Sequence, residues 1–297
     1  MTKRLFIFAG YDKDNLIDDT LVDYLSFLSG AGDIILTMDC NIPAAQLKKL
    51  NDIKNLIYVS ARRHGEYDFG SYKRGYQYAR DKKLLAKYDW IYFANDSVYC
   101  VADPKAILEQ LESRGAEFLG MSTHCRGNRA RHFQSWFIGM SSRVARQKWF
   151  DDFIMSIEKM HNKEDIIMRY EIGTSVLMRR HNIKSTSIDE DILAGNDIYT
   201  GAMRFMNTGA PFIKKLALCY IHDINRLMPH VANMDILSHI DAASRRAKIM
   251  PRPNQYRLVR QVKVLGITMY SIIVKPDGSA RKIKLFGIFT VAKIITP

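Results

Sequence analysis

Four short apolar runs, separated by helix-patterned segments, constrain this 297-residue chain more than any other feature. The runs are Lys3 to Ala9, Asp33 to Met38, Asn55 to Val59 and Trp90 to Ala94. Between them, Leu16, Leu21, Tyr24, Leu25 and Leu28 recur at helical spacing up to the stop at Gly30-Ala31-Gly32,. Pro43 to Leu50 predicts a short helix and Tyr72 to Ala86 a longer one. Strand–helix alternation of this kind predicts an α/β fold: a mixed, mostly parallel sheet flanked by helices, with ligands at the carboxyl ends of the strands. Asp12, Asp39 and Asp96 all fall at such ends.

Past the midpoint the pattern changes. Phe118 to Met121 and Gln134 to Met140 read as strands around a basic loop, Arg126 to Arg131. Helices are predicted around Val144 to Lys159 and from Ile166 or Glu171 to Arg180. Met250-Pro251-Arg252-Pro253 breaks regular structure, because two prolines in three residues prevent helix,. The expected organisation is a domain over residues 1–243 and a basic amphipathic tail over 244–297.

Charge is distributed unevenly. From Arg245 onward twelve basic residues face one acid, Asp277, so the tail carries +11 of the net +13. A nearly neutral body argues against nucleic acid as a partner, since such binders spread basic surface over the folded domain. The tail interleaves that charge with apolar residues, as in Val262 to Ile267 and Ile283 to Phe289 around a turn at Lys275 to Gly278. This suggests β-hairpins or short amphipathic pieces that dock on an anionic membrane surface; a small solvated module is the plainer alternative. The opening apolar run is too short for a signal segment, and no stretch reaches the ~18 apolar residues of a membrane span,. Four scattered cysteines suggest neither zinc nor a disulfide framework,. The expected setting is cytoplasmic, peripheral on the inner face of the cytoplasmic membrane.

The chemistry concentrates in two segments. Gly65-Glu66-Tyr67-Asp68-Phe69-Gly70-Ser71-Tyr72-Lys73-Arg74-Gly75 reads as a glycine-punctuated basic turn opening a helix. Gly70 there would let backbone approach a diphosphate while Lys73 and Arg74 neutralise it; an ordinary basic surface helix gives the same pattern. Asn95-Asp96-Ser97 then delivers a carboxylate to the edge of a buried strand. That order suits a sugar nucleotide. Asp68 either bonds the nucleoside or caps the helix.

These segments, with Tyr11-Asp12, His132-Phe133-Gln134-Ser135-Trp136-Phe137, Tyr170-Glu171-Ile172 and Ala210-Pro211-Phe212-Ile213-Lys214-Lys215, resemble the rhamnan synthesis F family over roughly residues 1–225. The resemblance implies a GT-A nucleotide-sugar fold and a glycosyltransferase of bacterial surface polysaccharide assembly. The expected reaction moves a hexosyl or deoxyhexosyl group to a saccharide or lipid-linked acceptor, with inversion as the leading reading and the anomeric outcome open. It implies donor contacts from Tyr11, Asp12, Asp39, Asp68, Gly70, Ser71, Lys73, Arg74, Asn95, Asp96 and Ser97, and a general base at Glu171 near a helix start. His132, Gln134 and Trp136 would line the acceptor site; a core role for Trp136 is the alternative. Many GT-A enzymes carry two carboxylates where this chain has Asn95-Asp96-Ser97. A divalent metal (Mn2+ or Mg2+) would therefore rest on Asp96, phosphate oxygens and His222 or Asp223, or be replaced by Lys73 and Arg74. The missing carboxylate also leaves open a non-catalytic scaffold or sugar-binding subunit of the same machinery. The remaining histidines, His64 among them, show no metal spacing and read as structural or surface.

Overall fold

The computed structural model describes residues 2–124, 131–188, 198, 205–215, 257–264, 267–274, 280–285 and 289–295. In chain order the first part contains β1 (Arg4–Gly10), α1 (Asp19–Ser29), β2 (Asp33–Met38), α2 (Ala44–Leu47), β3 (Leu56–Ala61), α3 (Tyr67–Asp81), β4 (Trp90–Asn95) and β5 (Val98–Cys100). It continues with α4 (Lys105–Glu112), β6 (Phe118–Gly120), β7 (Thr123–His124), β8 (His132–Phe133), β9 (Phe137–Ser141), α5 (Ser142–Ala145) and α6 (Lys148–Met155). Then come α7 (Lys163–Ile166), α8 (Ile172–Arg180), β10 (Ser185–Ser187) and β11 (Phe212–Lys214).

Seven strands form one sheet in the order β10-β6-β9-β4-β1-β2-β3. β9 runs antiparallel to both neighbours, and the other pairings are parallel. This is the α/β architecture that the alternation predicts. Successive strand residues point to opposite faces, and here both faces are covered. Phe6, Phe8, Ile34, Leu36 and Tyr92 pack in one buried cluster with Leu21, Leu25 and Leu28 of α1 and Ile107, Leu108 and Leu111 of α4. Leu5, Ile7, Ile35, Ile91 and Phe93 pack in the other with Tyr72, Tyr76 and Ala79 of α3 and Phe150 and Ile154 of α6. Double coverage is why these strands read as unbroken apolar runs.

Helix α3 sits unusually close to the sheet. A Cβ built on Gly75 would lie 2.4 Å from Ile7 Cγ2, so the third glycine of the basic segment is there for packing on β1. The helix also begins earlier than its apolar spacing suggests, at Tyr67, and Leu85–Lys87 forms a separate 3-10 turn. Gly70 therefore lies inside the helix, and the turn that opens it is at Gly65 to Tyr67.

The chain divides into two compact units, Met1–Leu218 with Arg226–Met234 and Cys219–Asn225 with Asp235–Pro297. The second contains a four-stranded antiparallel sheet, β12 (Arg257–Val264), β13 (Ile267–Val274), β14 (Ala280–Leu285) and β15 (Phe289–Ile295), joined in sequence order. The hairpin reading of the tail agrees with this. The expected boundary at Ala243, the proline break and the Lys275–Gly278 turn lie outside the described residues. Among the described residues, no helix is long and apolar enough to cross a membrane.

Candidate active site

The site is built where β1 and β4 end side by side, with Ala9 in register with Asn95. Asp96 stitches the two ends together: its backbone N–H donates to Ala9 O at 3.2 Å, and its Oδ2 accepts from Tyr11 N at 3.1 Å. Asn95 is buried. Its Oδ1 accepts from Ser97 N (3.0 Å) and Ser97 Oγ (2.5 Å), and its Nδ2 donates to Asp68 Oδ2 at 2.7 Å. That bond ties the first turn of α3 to the end of β4. Tyr11 stands 47 % exposed at the rim, with the Arg63 guanidinium 5.1 Å from its ring centroid.

A lysine completes the cluster. β11 pairs antiparallel with β5, which places Lys214 opposite Val98, and its Nζ donates to Ser97 Oγ at 2.6 Å. The same ammonium lies 5.4 Å from the Trp136 ring centroid, a cation–π arrangement. Burial raises Asp68 to about 6, with the Asp96 charge adding to it and Lys163 and Lys214 opposing. Burial also raises Asp96, against Lys215 and the Tyr11 N–H, and lowers Lys214 to about 8, against the acids around it. Desolvation thus disfavours all three charges, and the proximity of the lysine to the two acids offsets part of that cost,.

Glu171 differs. Burial alone would raise it, but hydrogen bonds from His132 and from Ser135 outweigh that and hold it below the usual carboxylate range. Ser135 donates its N–H and its hydroxyl to Oε2, and His132 Nε2 lies 3.5 Å from Oε1. Glu171 is not a helix-start residue. It closes a π-helical stretch, Ile167–Glu171, inside a helical run that opens at Lys163 with Asn162 as its cap. Dipole complementation at an N-terminus therefore does not account for it, and π-helical turns recur at functional sites. Its charge reaches both Asp68 and Lys214.

The other nominated residues are committed elsewhere. Asp12 Oδ1 accepts from Asp14 N and Leu16 N and closes its own turn. Asp39 Oδ1 accepts from His64 N and Gly65 N, holding the turn before α3. Ser71 is buried, with Oγ 3.0 Å from His64 Nε2. Glu66 N–H donates to His64 Nδ1, so the ring proton sits on Nε2 and points at Ser71. His64 is structural, as the sequence suggests. Lys73 Nζ donates to Ile157 O, and Arg74 pairs with Glu66 and donates to Gly70 O. Both cations are thus anchored by protein partners. Gln134 Oε1 accepts from Ser122 Oγ. Trp136 is a core residue and not a sugar platform: it is 2 % exposed, its Nε1 donates to Ser122 Oγ, and its ring packs on Phe205 and Phe212.

Two contributors, Lys214 and Ser135, lie inside the quoted motifs but receive no role in the sequence reading. Lys214 follows the apolar pair Phe212-Ile213 at a strand end, the same signal that marks Asp96.

A divalent metal fits this donor set poorly. Among the described residues no three His, Cys, Asp or Glu side chains converge on one point. Asp96 contributes one carboxylate already bonded to Tyr11 N, and the ammonium of Lys214 stands close enough to act on it. His222 and Asp223, like Arg126 and Arg129 of the basic loop, lie outside the described residues.

A family profile for rhamnan synthesis protein F matches residues 34–244. The chain belongs to the rhamnan synthesis protein F family. No curated protein matches it. Among solved structures it is similar to a core-mannan synthase A from Aspergillus fumigatus, a Mn/GDP form, at 10 % identity and a TM-score of 0.37, covering 63 % of this chain and 72 % of that one. It is similar also to a glycosyltransferase involved in glycosylation of the major capsid of PBCV-1, at 8 % identity and a TM-score of 0.39, covering 76 % and 98 %. Both likenesses are too faint to carry an argument about chemistry.

Proposed function

We propose that the chain is a GT-A-type glycosyltransferase that moves a hexosyl or deoxyhexosyl group from a nucleotide-sugar donor to a saccharide or lipid-linked acceptor in bacterial surface-polysaccharide synthesis. Family membership supports the pathway. The observation that carries the reading is the convergence of Tyr11, Asp68, Asn95, Asp96 and Ser97 at one sheet edge, with an ionised Glu171 within electrostatic reach. The edge takes the donor, with Tyr11 against the base and Asp96 and Ser97 toward the diphosphate and sugar. Gln134 borders the acceptor side; His132, expected there, is as buried as Trp136 and acts through its contact with Glu171.

Transfer is a single inverting displacement. The acceptor hydroxyl attacks the anomeric carbon, its proton passes to Glu171, and the electron pair of the broken C–O bond stays on the departing phosphate oxygen. Glu171 is suited to this because it is ionised at neutral pH and, among the described residues, its Oε1 carries only the longer contact to His132,. The basic tail holds the enzyme on the inner, anionic face of the cytoplasmic membrane, where lipid-linked acceptors are presented.

The test is a thermal-shift screen of nucleoside diphosphates and nucleotide sugars, with and without Mn2+, followed by mass spectrometry of any transfer product. A ligand at ~100 times its dissociation constant adds about 2.7 kcal/mol of stability. A nucleotide that shifts the melt without transfer by any donor identifies a sugar-binding scaffold instead, the reading that Asn95 and Ser97 in place of carboxylates favours.

A further inference from the structure

We propose that Lys214 is the diphosphate-binding cation of this site and takes the place of a divalent metal. The proposal rests on the glycosyltransferase reading and deepens it. Three observations carry it. The first is placement: the β5–β11 ladder and the bond from Lys215 N to Ser97 O (3.0 Å) fix the backbone of Lys214 directly beside the Asn95-Asp96-Ser97 edge. The second is unused capacity. An ammonium has three N–H donors, and among the described residues Ser97 Oγ is the hydrogen-bond acceptor that Lys214 uses. The third is setting: the ammonium is half-buried against Trp136 and within electrostatic reach of Asp68, Glu171 and Asp96. Among the described residues no three metal-binding side chains converge here, and the lysine already supplies the positive charge.

The chemistry is that of a fixed cation at a developing anion. As the C–O bond to the diphosphate breaks, negative charge grows on the leaving oxygen, and a preorganised N–H donor in a half-buried site stabilises it. No proton need leave the lysine. Lys73 and Arg74, the cations nearest the glycine segment, are held by Ile157 O and by Glu66 and, among the described residues, do not bond to the Asn95-Asp96-Ser97 edge as Lys214 does, so this duty falls to β11 rather than α3.

Full-length protein stripped with EDTA is titrated calorimetrically with UDP, GDP and dTDP, then again with Mn2+ present. The expected result is that one nucleotide binds in EDTA and that Lys214→Met weakens it by ~10–100-fold, the range of a charge-assisted hydrogen bond, while Lys214→Arg retains most of the affinity. Binding that appears only with Mn2+, equally in wild type and Lys214→Met, overturns the proposal and leaves the glycosyltransferase reading standing. A Lys214→Met protein that melts lower but binds nucleotide like wild type also overturns it, marking the lysine as a counter-ion for the acids. Should that variant fail to fold, the wild-type comparison in EDTA and Mn2+ still decides. Absence of nucleotide binding under both conditions overturns both readings together.

Discussion

Ser135 directs two donors, its backbone N–H at 2.9 Å and its hydroxyl at 2.5 Å, onto a single oxygen of Glu171. The pair comes from elements far apart in sequence, the loop before β9 and the π-helical turn before α8. Both bonds favour the carboxylate over the acid, and with His132 they outweigh the burial that would neutralise it,. Glu171→Gln is therefore expected to lower turnover by ~10²–10⁴-fold with nucleotide affinity nearly unchanged. Ser135→Ala removes one donor, so the Glu171 pKa rises. The acid limb of the pH–rate profile should then move to higher pH, and a limb that stays in place would separate Glu171 from the base.

Asp68 gives a pH prediction of opposite sign. Its carboxyl titrates near 6 in the fold against a reference of 3.8, chiefly through burial and secondarily through Asp96. A raised pKa means that the native state binds the proton more tightly. Stability from this group is complete below the unfolded pKa and is lost as pH rises through the folded one. Asp68→Asn keeps an oxygen for Asn95 Nδ2, so it should match wild type near pH 4 and exceed it by about 1–2 kcal/mol above pH 6. Urea denaturation at the two pH values measures the gap. Equal stability at both would mean that Asp68 is solvated.

Gly70 tests the packing at the start of α3. In an unconstrained helix, Gly→Ala stabilises by about 1 kcal/mol. Here a Cβ would stand 2.3 Å from Glu66 Cβ and 2.8 Å from the His64 ring. Gly70→Ala should instead destabilise by ~1–3 kcal/mol, the cost of overpacking. A higher melting temperature in the variant would show that His64 and Glu66 have room to move aside.

The sheet was legible because β1, β2 and β4 are buried on both faces, and such runs stand out without any alternation to decode. Asp33–Met38 matches β2 residue for residue, and Asp96 was legible from its place after β4. The start of α3 was not. The local signal at Gly70 says turn, but the turn is held three to five residues earlier by Asp39, which is distant in sequence and close only once β2 and β3 pair. Glu171 stood out as an acid near helical residues, yet its π-helical setting and its clamp by Ser135 depend on tertiary contacts that no helix period encodes. Lys73 and Arg74 looked free for the same reason: Ile157 and Glu66, their partners, carry no pattern that announces them.

The basic unit gives the last prediction. In its four antiparallel strands Lys282 is in register with Lys293 on one side and with Ile273 on the other. The segment from Arg245 onward carries twelve basic residues against one acid, and an anionic surface attracts such a cluster. The full chain is expected to bind vesicles rich in phosphatidylglycerol and to ignore phosphatidylcholine. Binding should weaken with salt, since the screening length falls from about 10 Å at 0.1 M to about 3 Å at 1 M. A chain ending near Ala243 should lose vesicle binding and keep nucleotide binding, because Tyr11, Asp68, Asp96, Glu171 and Lys214 all precede the cut. Sedimentation with vesicles and calorimetry with nucleotide read the two properties separately. Salt-insensitive binding would assign the interaction to apolar residues of the tail, and retained binding in the shortened chain would move the membrane contact to the first unit.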